Sequence, residues 1–195
     1  LAIVLNIDID HLDFFRDIDH IRSSFEAFLG NVKNPGIIVL NFDDPQTKTL
    51  AKTLTKPFIS YSINSPDTDW TIENLSFKEG FANFTVIYKK NTWGNISLTV
   101  PGIHNVSNAL ASIAACHALG IRKELIIRGL GLFKGPRRRL EDKGTINGIR
   151  VMDDYAHHPT EIEATLNAAR VLTSGKLICV FQPHTFTRTY ELLDD

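Results

Sequence analysis

The chain has 195 residues, 43% of them hydrophobic, with 21 basic and 22 acidic side chains and a formal charge of −1. That composition suits one large domain or two small ones with real cores and excludes disorder. Near-neutrality leaves no overall field for nucleic acid or an anionic membrane, so any anion site has to be local. The two cysteines, Cys116 and Cys179, sit in apolar stretches without metal or disulfide spacing and read as small buried hydrophobes in a reducing compartment.

No apolar run approaches the roughly 18 residues of a membrane span, and no signal-peptide pattern opens the chain. A soluble, cytoplasmic protein without membrane insertion is expected. Residues 1–6 are already a buried-strand pattern with no initiator methionine, and residues 188–195 read as a helix just begun. A piece of something longer is therefore expected.

After the first strand comes a polar loop at 8–13, then Ile18, Ile21, Phe25, Phe28 and Leu29 at helical spacing. A buried strand at 36–41, a short helix from Asp43-Asp44-Pro45 to about Leu54 and a strand at 58–61 follow. Strand alternating with helix predicts a parallel sheet. The pattern then turns antiparallel, with strands at 69–77, 81–88 and 96–100, which predicts a meander on the sheet edge. Helices are predicted from about Val106 to Gly120 and from about Arg122 to Leu130. Beyond Arg139 the order is strand at about 141–152, helix at 159–172 and strand at 177–181. A domain boundary is placed near residue 140.

Polar groups gather where these elements end. Asp8, Asp10, His11 and Asp13 follow the first strand; acids with an imidazole suit a divalent cation or a plain hydrogen-bonded loop. His104, Asn105 and Asn108 open a helix after Gly102. Their carboxamides can pair with a purine edge, and equally can cap the helix. Lys134 and Arg137 to Arg139 lie among Gly131, Gly135 and Pro136, a compact cationic turn matched to phosphate oxygens.

The densest cluster is Asp153-Asp154-Tyr155-Ala156-His157-His158-Pro159, between the short strand at 148–152 and a helix with proline in its first turn. Crevices beyond the carboxyl ends of strands are usual ligand sites in α/β sheets. Finally His184 and Arg188 follow the apolar run at 177–181 and could grip a carboxylate or phosphate. No G-x-x-x-x-G-K-[ST], G-x-S-x-G, H-E-x-x-H or C-x-x-C occurs, so a self-sufficient nucleotidase is not written here.

In order, these stretches resemble the Mur ligases, ATP-dependent amide-bond formers of peptidoglycan synthesis. Residues 6–13 are similar to N-x-x-x-D-H-x-D, residues 102–109 to G-x-H-N-x-x-N-A and residues 133–141 to F-x-G-x-x-R-R-x-E. Residues 153–160 are similar to D-D-Y-[AG]-H-H-P-T and residues 181–188 to F-Q-P-H-x-[FY]-[ST]-R. The last two resemble the alanine-adding branch. A murein tripeptide-recycling branch is the alternative, and a non-catalytic adenine-nucleotide-binding module is a third reading.

The resemblance implies an α/β fold: residues 1–140 as a central ATPase domain lacking its P-loop part, with flanking helices, and 141–195 as the start of a Rossmann-like, amino-acid-binding domain. It implies a parent that uses ATP and Mg2+ to join L-alanine to UDP-N-acetylmuramate through an acyl phosphate, and a piece inactive alone. His11 would ligate magnesium. His104, Asn105, Asn108 and Tyr155 would surround adenine, Asp154 would bind ribose and Arg139 would reach phosphates. His157, His158, His184 and Arg188 would face the amino acid and the reacting carboxylate. Departures are Asp8 where many relatives have Glu, and Thr185 where many have Arg. The helix at 17–29 has no lysine, which favours the alanine- or tripeptide-adding branch.

Overall fold

The computed structural model describes residues 1–193. Its main sheet has six strands in chain order: β1 Ala2–Val4, β2 Ile38–Asn41, β3 Ile59–Tyr61, β4 Trp70–Lys78, β5 Phe81–Tyr88 and β6 Asn91–Pro101. The pairs β1/β2, β2/β3 and β3/β4 are parallel, while β4/β5 and β5/β6 are antiparallel. The mixed sheet and its edge meander are as the sequence predicted.

Strand β2 explains the layering. All four of its residues are buried, and successive side chains on a strand point to opposite faces. Ile38 and Leu40 join Ala2, Val4, Ile21, Leu29 and Leu50 in one apolar cluster. Val39 joins Tyr61, Trp70, Val86, Val106, Leu110 and Ile113 in the other. The sheet is therefore covered on one face by α1 (Ile18–Gly30) and α2 (Pro45–Ala51), and on the other by α3 (Ile103–Ala118) and α4 (Lys123–Leu132). Burial on both faces is the reason β2 lacks polar alternation.

Local chemistry sets the ends of these helices. Asp17 caps α1 by accepting the His20 N–H at 2.8 Å, and Asp44 caps α2 by accepting the Thr47 N–H at 2.6 Å, with Pro45 in the first turn. At its other end α1 is closed by Lys56, whose ammonium donates to the carbonyls of Leu29, Gly30 and Val32. A cation there complements the negative end of the helix dipole. Helix α2 stops at Ala51, three residues short of the expected Leu54.

The meander turns at Glu79-Gly80 and at Lys89-Lys90, where every residue has positive φ. Two-residue loops of that hand match the twist of the flanking strands. Strand β6 also begins five residues earlier than predicted, because Trp93 packs inward and extends the apolar alternation.

Beyond the sheet the sequence reading needs two corrections. The single strand expected at about 141–152 is a hairpin, β7 Glu141–Ile146 and β8 Ile149–Asp153. Asn147 and Gly148, at φ 50° and 79°, form the same kind of tight turn. The strand expected at 177–181 is irregular: among the described residues no strand lies beside it, and a strand needs a hydrogen-bonded neighbour. Val180 is 95% exposed, and Cys179 is exposed rather than buried.

Helix α5 (Pro159–Arg170) is present near its expected bounds, followed by α6 (Phe186–Glu191). The helix expected at 188–195 thus starts two residues earlier, and its residues 194 and 195 lie outside the described residues. Ala168 and Ala169 of α5 are buried, and α5 rests against α3. None of the described helices is long and apolar enough to cross a membrane.

Candidate active site

A cleft of about 1510 Å³ opens between the carboxyl ends of β1 and β2, the start of α3, the 133–140 turn and the start of α5. Asp8, Asp10 and His11 line it from the sheet, and His104, Asn105 and Asn108 line it from α3. Lys134, Arg137 and Arg139 contribute from the cationic turn, and Asp154, His157 and His158 from the strand–helix junction. The topology therefore brings four of the five polar constellations to one cavity.

Gly102 makes the α3 end of the cleft possible. Its φ is 97°, and a Cβ there would lie 2.6 Å from His104 Cε1 and 3.0 Å from the Ala168 methyl. Only a residue without a side chain lets His104 fold back over the helix start while α5 packs behind it. His104 Nδ1 is buried and has no partner in the protein. Burial pushes its imidazole below the ordinary histidine range; the Asp154 carboxylate opposes that and Arg139 reinforces it. The result is a neutral ring with an unanswered polar atom, which suits a bound ligand.

The neighbouring amides are partly engaged. Asn105 donates to the Pro101 carbonyl at 2.7 Å, and Asn108 lies 3.5 Å from the Asn105 oxygen. Asp154 uses both oxygens on backbone N–H groups, those of Leu140 at 2.8 Å and Ala156 at 2.7 Å. It therefore ties the 138–140 turn, where Arg138 and Leu140 both have positive φ, to the junction. Tyr155 stands off the cleft wall: its ring lies beneath the Arg138 guanidinium at 4.7 Å and is 5.1 Å from His157.

Arg139 is paired with Glu161, a residue no motif in the sequence singled out. Glu161 also accepts the His157 N–H at 3.3 Å. The signal was present as the i, i+4 spacing of His157 and Glu161 at a helix start. His157 Nδ1 sits 2.8 Å from the Tyr155 carbonyl. A carbonyl can only accept, so Nδ1 carries the proton and a neutral ring has its lone pair on Nε2.

The remaining histidines and Arg188 have other engagements. His158 is the N-cap of α5, accepting the Thr160 N–H through Nδ1 while Nε2 bonds the Ile9 carbonyl at 2.9 Å. Arg188 lies outside the main cleft, in a smaller pocket beside His11. Its guanidinium donates to Asp10 at 2.9 and 2.8 Å, and its side chain is 9% exposed. His184 approaches His157, with ring centroids 6.1 Å apart. Thr185, at φ 68°, caps α6 by accepting the Arg188 N–H at 3.4 Å.

Among the described residues no three His, Cys, Asp or Glu side chains converge on one point. His11 has a largely exposed imidazole 3.7 Å from Asp10, while Asp8 and Asp10 are held by Thr160 and Arg188. Magnesium commonly keeps several waters and takes one or two protein ligands plus phosphate oxygens. His11 could add one nitrogen donor to such a set, beside the carboxylates of Asp8 and Asp10, which are the oxygen ligands magnesium prefers.

A profile of the Mur ligase middle domain matches residues 1–116, and one described as the Mur ligase, glutamate ligase domain matches residues 138–194. The chain belongs to the Mur ligase family. It is 51% identical to the UDP-N-acetylmuramate–L-alanine ligase of Acetivibrio thermocellus and 44% identical to that of Clostridium tetani. Both alignments take in 100% of this chain and 42% of the relative, so the chain spans about two fifths of their length.

Among solved structures it resembles the UDP-N-acetylmuramate-alanine ligase MurC of Thermotoga maritima, at a TM-score of 0.71 and 29% identity, over 87% of this chain and 38% of that one. It also resembles a murein peptide ligase of Psychrobacter arcticus, at a TM-score of 0.65 and 32% identity, over 87% and 34%.

Proposed function

We propose that this chain is part of an ATP-dependent ligase that joins L-alanine to UDP-N-acetylmuramate through an acyl phosphate, in peptidoglycan synthesis in the cytoplasm. The observation that carries the reading is the 51% identity, over the whole chain, to a ligase of that name. The cleft supports it by gathering a neutral imidazole with a buried Nδ1, two carboxamides and three cations beside an exposed His11. Residues 1–140 belong to the ATP-binding domain and 141–195 to the amino-acid-binding one.

In this reading the His104, Asn105 and Asn108 surface takes adenine, Asp154 lies on the ribose side, Tyr155 supports Arg138 from outside the cleft, and Arg139 exchanges Glu161 for phosphate oxygens. His11 would help hold a magnesium ion, which would neutralise charge on the phosphoryl oxygens. His157 presents Nε2 as a proton acceptor. The alanine nitrogen attacks the carboxyl carbon, the C–O bond to phosphate breaks with its electron pair on oxygen, and the amine proton passes to that Nε2. Catalysis otherwise rests on positioning and on excluding water from the acyl phosphate. His158, His184 and Arg188 frame the amino-acid side.

The test is ADP release by the full-length parent, expected only when L-alanine and UDP-N-acetylmuramate are both present. Release driven by a murein tripeptide in place of alanine would transfer the reading to the recycling branch, to which the Psychrobacter likeness lends some weight. A second reading, an adenine-nucleotide binder without turnover, rests on His104, Asn105, Asn108 and Arg139 lining one cleft. Calorimetry with ADP on the 195-residue chain should give binding, and alanine-driven ATP turnover by that chain would overturn its assignment as inactive alone.

A further inference from the structure

Three consecutive residues of the loop after β1 each hold a different residue of the segment beyond 138. Asp8 Oδ2 accepts the Thr160 hydroxyl at 2.8 Å, the Ile9 carbonyl accepts His158 Nε2–H at 2.9 Å, and Asp10 Oδ1 accepts the Arg188 guanidinium at 2.9 Å and 2.8 Å. We infer that residues 8–10 are a clamp that fixes where the 138–193 segment sits on the sheet, with Asp8 and Thr160 as a positioning pair.

The loop offers only acceptors and the segment only donors. That polarity alone would let any of these donors meet any of these acceptors, so the pairing is set by where the groups stand along the loop and the segment. The loop is also braced before it is met: Asp8 accepts the N–H of Ile9 and Asp10 that of His11, both at 2.8 Å, and His11 is held at φ 53°. Its acceptors are thus aimed by the loop's own backbone.

One hydrogen bond would leave the segment free to swing about it. Contacts at the start of α5 and on α6, together with the packing of Ala168 against Gly102, remove that rotation. Because His158 is drawn to the Ile9 carbonyl, the adjoining His157 stays with Glu161 and His184. The clamp therefore positions His157 without touching it.

Distance measurement between two spin labels tests this in the 195-residue chain, with Cys116→Ala and Cys179→Ser removing the native thiols. The labels go on the exposed positions Lys48→Cys in α2 and Glu163→Cys in α5. One narrow distance distribution is expected. Thr160→Val, which keeps side-chain shape at an exposed site, should broaden it, and so should Arg188→Gln. Thr160→Ser, which returns the hydroxyl, should restore the narrow peak. A narrow distribution in either of the first two variants overturns the clamp, and so does broadening by Thr160→Ser equal to that of Thr160→Val.

Discussion

Arg139 and Glu161 meet across 22 positions of chain, with both terminal guanidinium nitrogens 3.3 Å from the same carboxylate oxygen. The second oxygen of Glu161 takes the His157 N–H. A guanidinium on the wall of a polar cleft thus has an internal anion to hold, and a carboxylate at a helix start gathers two residues that the sequence placed in different roles.

This pairing makes a prediction about acid. Burial raises the Glu161 carboxyl, but the His157 N–H and the Arg139 and His157 charges outweigh it and hold it below its usual value of 4.5. A carboxyl lowered on folding binds fewer protons than in the unfolded chain. Its contribution is therefore complete above the usual value and is lost as pH falls through the lowered one. Urea denaturation followed from pH 7 downward should show wild type losing stability below about 4.5, with a smaller loss in Glu161→Gln. Since both partners are about a third or more exposed, the difference is expected to stay within about 1 kcal/mol. Equal acid sensitivity in the two proteins would remove Glu161 from the account.

Gly102→Ala tests the α3 end of the cleft. The new methyl meets His104 Cε1 at 2.6 Å and demands φ 97° of a residue with a Cβ. A strain of about 1–3 kcal/mol follows, and His104 must move to relieve the contact. Thermal unfolding should occur several degrees lower, and ADP binding by calorimetry should weaken more than it does for an exposed substitution such as Lys176→Ala.

Lys56→Met tests the closure of α1. The side chain keeps its length and apolar stem but gives up donors to three carbonyls. A loss of about 1–2 kcal/mol is expected, read as a lower urea midpoint with an unchanged slope. Hydrogen exchange should speed up at residues 28–32 and remain unchanged in the meander.

The elements most legible in the sequence were those whose own residues carry the signal. Strand β2 was visible as an unbroken apolar run, α1 as a stripe of Ile21, Phe25 and Leu29, and α5 as a proline-led start. What was missed depended on partners. Asn147-Gly148 is a hairpin turn only because β7 and β8 pair across it, and the apolar alternation on either side was read straight through it. The 177–181 run has strand composition but no neighbouring strand, and composition cannot supply one.

In the candidate site, the motif-bearing residues were legible, yet the roles of Glu161 and Asp43 and the partner of Thr160 were not. Asp43 accepts from the Ser62 hydroxyl at 2.5 Å and the Ile63 N–H at 2.7 Å, a contact between loops that spacing along the chain does not encode. Thr160 and Asp8 are likewise 152 positions apart. Roles that arise from one loop meeting another become readable only once the chain is folded.

Strand order in the main sheet coincides with chain order, so no strand has to wait for one made later before it can pair. Strand β5 closes on β4 and β6 on β5 through two-residue turns, and local closure of that kind is fast relative to the longer connections that join β1 to β2, β2 to β3 and β3 to β4. The meander, with Trp70 against Tyr88 and Phe84 against Ile96, should therefore form early and present a finished edge on which the parallel strands assemble. Substitutions there should slow refolding, while those around α1 should mainly speed unfolding.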